Sequence, residues 1–266
     1  MSQATFRFYE ELNDFLPEER RKQAVSFSFD VSPSVKDAIE SLGVPHVEVD
    51  LVIANGESVG FRYRVRDGDR IAVYPAFESI DISPVVRLRP KPLRTPTFVA
   101  DVHLRKLARL LRLLGFDTLH SNELSNEEVI QISVEELRII LTRDRQLLKH
   151  GAVTRGYWVR STNPIDQARE VVRRFDLAGH VEPFSRCTAC NGMLKAVSKA
   201  DVQERIPPKT AIWLDEYCEC TVCGKLYWRG THTARLNEII AQILPSRREL
   251  RNLGARQHPP LAGGPS

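Results

Sequence analysis

The chain has 266 residues, 42% of them hydrophobic and 27% charged, with a formal net charge of +4. That length allows two or three domains, each with its own core, and so small a charge names no partner by itself. No stretch approaches the roughly 18 uncharged apolar residues of a membrane helix. The charged N-terminus, MSQATFRFYEELNDFLPEERRK, also lacks the apolar core of a signal peptide, so a cytoplasmic setting is expected.

Residues 1–81 read as strands around one helix. Thr5–Tyr9 opens the first strand, and VSFSFDV (25–31) alternates with period two. Ser32-Pro33-Ser34 precedes the helix VKDAIES, which Gly43 stops. HVEVDLVIANG and RIAVYPAF follow as strands, with a short FRYRV run between them and a Gly68-Asp69 turn before the last. This ββαββ order predicts a small α+β domain. Residues 82–97 hold Pro84, Pro90, Pro92 and Pro96 beside Arg87, Arg89, Lys91 and Arg94, which predicts an extended, basic linker.

Residues 98–180 alternate strand and helix. FVA (98–100) is a short buried strand. Leu104–Leu114 is an amphipathic helix with Leu104, Leu107, Ala108, Leu111 and Leu114 on one face, capped by Gly115. DTLH is the next strand, and Ser125 opens a second helix. RIILT (138–142), the short helix RQLLKH, YWVRS (157–161) and a helix from Pro164 complete the series. Repeated βα units imply a parallel sheet covered by helices. Residues 181–244 hold the cysteines and an apolar helix near ARLNEIIAQIL. The Pro/Gly-rich tail 245–266 is expected to be disordered.

Cys187/Cys190 and Cys220/Cys223 form two Cys-x-x-Cys knuckles with 29 residues (191–219) between them. Two residues between thiolates let one tight turn present both sulfurs to one ion, and two such turns close a tetrahedral structural zinc site. The alternative is a pair of disulfides, which reducing conditions disfavour. Cys218 is too near Cys220 for a knuckle and reads as a bystander.

In an open parallel sheet, sites lie beyond the carboxyl ends of the strands. Asp101 follows FVA directly, Asp144 lies two residues beyond RIILT, and Asp166 follows YWVRS. Glu127 and Glu128 start the helix before RIILT. Clustered acids repel unless a cation lies between them, and hard oxygen ligands suit Mg²⁺ or Mn²⁺. Taken singly, each acid is more often the ordinary cap of a helix N-terminus than a ligand, and Glu128 completes a capping box with Ser125.

FVADVHLRKLARLLRLLGFDTL, SNEEV and RIILTRDRQLL resemble the PIN-like RNase domain at the C-terminus of Mut-7 type exonucleases. CTACNGML and CECTVCGKLYWRGTH resemble the zinc ribbon that follows it in that family. GVPHVEVDLVIANGESV and DGDRIAVYPAFE are similar to the ubiquitin-like β-grasp domain fused to bacterial members. The resemblance implies an α/β PIN-like parallel-sheet domain, an N-terminal α+β β-grasp domain and a C-terminal ribbon. It also implies metal-dependent RNA cleavage. By position, Asp101 matches the first strand-end acid and Asp144 the third-strand acid. Asn126 stands where the family usually has Asp, with Glu127 and Glu128 beside it, and Asp166 is nearest to a fourth acid. The family often has Met-Leu-Gly after the first Asp, and His103-Leu104-Arg105 stands in that region here.

Arg105, Lys106, Arg109, Arg112 and Arg143 are expected to meet RNA phosphates, and Tyr227, Trp228, Arg229 and His232 to meet unpaired bases. The same residues also fit a solvated helix face and a ribbon core. The expected activity is that of an Mg- or Mn-dependent ribonuclease acting on structured RNA such as tRNA. The alternative is a degenerate RNA- or ribosome-associated binding protein. The β-grasp domain is expected to dock a protein partner rather than act as a sulfur carrier. It runs on into the linker at Phe77-Glu78, and Gly263-Gly264 is followed by Pro265-Ser266.

Overall fold

The computed structural model describes residues 1–75, 88, 96–206, 216–228 and 231–244, without the side chains of residues 231 and 232. The tail and most of the expected linker, including its basic residues, lie outside the described residues. Two compact units form. One holds residues 1–105 and 118–160; the other holds 106–117 and the described residues from Ser161 onward. The first unit therefore joins the β-grasp segment to the parallel sheet.

In the first unit, β1 (Ser2–Phe8), β2 (Ala24–Phe29), β3 (Val49–Ala54), β4 (Glu57–Ser58) and β5 (Arg70–Pro75) form a sheet of order β2-β1-β5-β3-β4. The β1–β5 pair is parallel, and β1–β2, β3–β5 and β3–β4 are antiparallel. That is the β-grasp arrangement. Period-two alternation turns Ala4, Phe6 and Phe8 inward. They meet Val35, Ala38 and Ile39, which share one face of α1 (Val35–Ser41). Each buried Phe contributes about 2–3 kcal/mol by area. Ser34 caps α1 by accepting from Asp37 N, and Gly43 ends it at φ +109°. FRYRV is not a strand. Tyr63 N bonds Gly60 O in a turn, and Val35 N and Val65 N pair this stretch with the start of α1 instead of the sheet.

The second sheet runs β7-β6-β8-β9, all parallel: β6 (Phe98–Ala100), β7 (Thr118–Leu119), β8 (Ile139–Thr142) and β9 (Gly156–Trp158). Every residue of β6 and β8 is buried, as parallel strands require. α3 (Asn126–Glu135) and α4 (Arg145–Lys149) belong to the same unit. Val47 of the β-grasp packs in one cluster with Val99, Ile140, Leu147, Leu148 and Val153 of this sheet and helix layer.

The second unit contains most of α2 (Arg105–Leu113), then α5 (Pro164–Arg174). β10 (Leu194–Val197), β11 (Tyr217–Cys220) and β12 (Leu226–Trp228) form an antiparallel ribbon. α6 (Lys199–Val202) and α7 (Thr231–Ile243) complete the unit. α5 holds α7 through Arg169, whose guanidinium donates to Gln242 O at 2.7 and 3.1 Å. Among the described residues, no helix is long and apolar enough to cross a membrane.

Candidate metal centre and strand-end carboxylates

The four knuckle cysteines present sulfurs that all lie within 4.8 Å of one another. The Cys187–Cys223 pair is 3.7 Å apart and the Cys190–Cys220 pair 3.3 Å. A tetrahedral Zn–S₄ site with Zn–S of about 2.3 Å needs about 3.8 Å between sulfurs, whereas a disulfide needs about 2.05 Å. The donor set and spacing fit a zinc ion, and the cysteines are free thiols.

The chain builds this centre twice over with the same turn. Asn191 N bonds Cys187 O at 2.9 Å and Gly224 N bonds Cys220 O at 3.0 Å. Asn191 and Gly224 both take positive φ, +74° and +67°. Gly192 is needed for a second reason: a Cβ there would meet Cys220 Sγ and Val222 Cγ2 at 2.8 Å. Cys218 lies on β11, outside the four-sulfur group.

An outer layer supports the sulfurs. The Tyr227 hydroxyl donates to Cys187 Sγ at 3.0 Å. Burial pushes the Cys187 thiol up, but this bond and backbone N–H groups outweigh it and bring it down to about 6. Burial, with the neighbouring thiols, pushes Cys190 up to about 12. Four thiolates cannot all ionise in so small a volume without a cation among them. Arg112 supplies one nearby positive charge. It is only 4% exposed, and its Nη1 donates to Ala189 O at 2.8 Å and Thr188 O at 3.4 Å. Burial lowers its pKa, and the Cys190 and Cys187 sulfurs oppose that shift. The expectation that Arg112 meets phosphate is corrected here: its guanidinium is spent on the first knuckle. Asp117 accepts from Asn191 Nδ2 at 2.8 Å and pairs with Arg186 at 3.3 Å.

The second centre sits in the parallel sheet. The chain goes from β6 to β7 on one side, then crosses to β8 on the other, so the order reverses between β6 and β8. Crevices for ligands open at such a switch point, beyond the strand carboxyl ends. Asp101 and Asp144 follow these two strands. Asp101 N continues the ladder to Leu141 O at 3.0 Å. Its Oδ1 accepts from His103 N at 2.8 Å, and its Oδ2 from Arg143 N at 3.1 Å and from the Thr142 hydroxyl. The Thr142 oxygen in turn accepts from Asp144 N at 2.8 Å. Thr142, fully buried, therefore ties the two acids together. Asp144 is exposed, and its Oδ1 caps α4 by accepting from Gln146 N at 2.8 Å.

The other acids are placed differently. Glu128 closes the capping box: its Oε2 accepts from Ser125 N at 2.8 Å while Ser125 Oγ accepts from Glu128 N at 3.2 Å. Glu127 is exposed in the first turn of α3. Asp166 is exposed in the first turn of α5 and pairs with Arg169. Among the described residues, the cysteines are the one group of three or more potential ligands whose donor atoms converge. The acids form no such group, so Asp101 and Asp144 stand as a linked pair.

Arg105, Lys106, Arg109 and Arg143 are exposed. Tyr227 is half-buried, and Trp228 is 38% exposed. Both line a cavity of about 550 Å³ with Phe184, Tyr217, Leu194 and Leu236. Arg229 and the His232 side chain lie outside the described residues. Thr142 and the outer layer of the metal centre went unread in the sequence. The one local signal for Thr142 was a hydroxyl at a strand's last position, two residues before an acid.

A β-grasp sheet, a parallel sheet with acids at its switch point and a four-cysteine ribbon together define a ubiquitin-like domain fused to a nuclease-like domain. Family comparison agrees. Residues 96–240 match the Mut7-C RNAse domain, and residues 1–81 match the Mut7-C ubiquitin domain. The chain belongs to the Mut7-C RNAse domain family. No curated protein matches. Two crystal structures of small archaeal modifier protein 1 from Haloferax volcanii are similar at 17% and 18% identity. They cover 29% and 30% of this chain and all of their own, each with a TM-score of 0.24.

Proposed function

We propose that this protein is a metal-dependent ribonuclease whose centre is the Asp101–Thr142–Asp144 arrangement. The observation that carries the reading is the link through Thr142 between two strand-end acids at the switch point of a family RNase domain. Mg²⁺ typically uses one or two carboxylates plus waters and phosphate oxygens, and Mn²⁺ suits the same oxygen donors, so this pair fits either ion. Asp101 has three of its roughly four lone-pair positions taken, while Asp144 stands open to solvent. Asp144 and the remaining capacity of Asp101 would hold the ion. Bound there, it would supply an activated water and neutralise charge on the phosphodiester. Arg143, beside that pair, and the exposed Arg105, Lys106 and Arg109 would bind backbone phosphates. Tyr227 and Trp228, on an aromatic-lined cavity, would take an unpaired base, and Arg229 and His232 follow them in the chain. An RNA offering both duplex phosphates and unpaired bases, such as tRNA, fits that combination. Free thiols throughout suit a cytoplasmic, reducing setting.

Asp144→Asn tests the reading. Asn keeps the oxygen that caps Gln146 N, so melting temperature should hold. Cleavage of RNA in Mn²⁺ should fall at least about 100-fold. Undiminished cleavage overturns the assignment.

A second reading, a catalytically degenerate RNA- or ribosome-associated binding protein, is favoured by Asn126. It carries no charge where the family usually has Asp, and the nearby Glu128 carboxylate is spent in its capping box. RNA retention on filters with no cleavage in Mg²⁺ or Mn²⁺ would select it. Docking of a protein partner on the β-grasp domain is compatible with both.

A further inference from the structure

α4 is five residues long, and an isolated helix that short is not stable in water. It carries Asp144 as its N-cap. Its two cationic ends both reach the β-grasp domain. Arg145, the first residue, donates from Nη1 to Phe15 O at 3.2 Å and from Nη2 to Asp14 O at 3.4 Å. Its Cζ lies 3.9 Å over the Trp158 ring and 5.4 Å from the Phe15 ring. Lys149, the last residue, donates from Nζ to Glu40 O at 2.8 Å, among the final carbonyls of α1. Leu147 and Leu148 bury between these ends in the cluster that includes Val47.

A second arginine reinforces the first contact. Arg160 Nε pairs with Asp14 Oδ2 at 2.8 Å, and Nη2 donates to Glu11 O at 3.4 Å. The Phe15 and Trp158 rings pack at 4.8 Å between centroids. Two guanidinium groups side by side repel, and here Asp14 and the ring faces offset that repulsion. His46 adds a third tie: its Nε2 lies 3.0 Å from Val153 O, in the loop after α4.

The geometry points to the β-grasp domain as a brace that holds α4, and thereby Asp144, in the carboxylate centre, with Arg145 and Lys149 as the positioning residues. This rests on the ribonuclease reading for its consequence, but not for its structural content. It also means that the Glu10–Phe15 stretch and the Glu40 carbonyl are already occupied within the chain. A protein partner of the β-grasp domain must use another face or displace α4.

Hydrogen exchange in the full-length chain tests the brace directly. In Arg145→Met, the Gln146 and Asp144 amides should exchange about tenfold faster or more, while β1 and β5 amides keep their protection. Arg145→Lys, which retains the charge, should restore part of that protection. Lys149→Met is the second variant should Arg145→Met fail to fold, with a smaller rise expected at the same two amides. Unchanged exchange there in every folded variant overturns the brace. If the wild type cleaves RNA, kcat should fall in Arg145→Met with KM little changed; a rise in KM alone would also overturn it. If the wild type cleaves nothing, the ribonuclease reading fails while the exchange result still decides the brace.

Discussion

The cysteine centre and the carboxylate centre are built on opposite plans. The first offers four soft ligands from two like turns, which would enclose an ion and leave it no open position. The second, on the proposed reading, would use two hard ligands from neighbouring strand ends, each already engaged by backbone donors, with Asp144 open to solvent. Saturated coordination gives folding energy without chemistry; unsaturated coordination gives room for water and phosphate at the expense of affinity. The ribbon should therefore fail by unfolding when disturbed, and the sheet by losing activity.

The largest effect should come from breaking the closed centre. Cys187→Ser removes a ligand and the sulfur that Tyr227 serves. Structural zinc contributes on the order of 10–16 kcal/mol of binding free energy in small zinc domains, and a three-thiolate site keeps only part of it. The variant should purify without stoichiometric zinc, and amides of β10, β11 and β12 should lose protection, while those of the β-grasp sheet keep it. Full zinc content in that variant would break the comparison.

A middle-sized effect is expected where the open centre is tied together. Thr142→Val conserves shape in a fully buried site but removes the oxygen joining both acids. It leaves Asp144 N without that acceptor and Asp101 without one donor, at a cost of about 1–3 kcal/mol. Cleavage should fall more than stability, because Asp144 loses its register with Asp101. Thr142→Ser, which restores the hydroxyl, should recover most of both. Loss of stability with unchanged cleavage would place Thr142 among purely structural residues.

Both centres were legible where the signal was local, and illegible where it was not. Two Cys-x-x-Cys turns state their own chemistry, because the spacing alone presents two sulfurs to one ion. Asp101 and Asp144 were readable because strand ends were readable. Their companions were less so: the Ser125–Glu128 spacing announces a capping box, but nothing local to Asp166 tells a ligand from the ordinary acid of a helix start until its pair with Arg169 is seen. Arg112 misled for a related reason. It shares a helix with the exposed Arg105, Lys106 and Arg109, but one residue of that cationic series faces inward, onto carbonyls 76 and 77 positions away. FRYRV alternated like a strand, yet Gly60 and the start of α1 took its hydrogen bonds. Arg145 was invisible as a brace, since its partners at Asp14 and Phe15 are 131 and 130 residues distant.

The smallest expected effect sharpens the comparison most, because it asks whether a closed centre has tunable parts at all. Tyr227→Phe removes one hydroxyl from Cys187 Sγ and keeps the ring on its cavity wall. Stability should fall by about 1 kcal/mol, the net worth of one such bond. Zinc should transfer to a competing chelator about tenfold faster, the low end of what outer-layer partners contribute to metal affinity. RNA retention should not change, because the aromatic face remains. If retention fell instead, and zinc transfer held, the hydroxyl would belong to the RNA surface. Tyr227 would then serve the ligand and not the ion, and the division between an inert ribbon and a chemical sheet would have to be drawn through this one side chain.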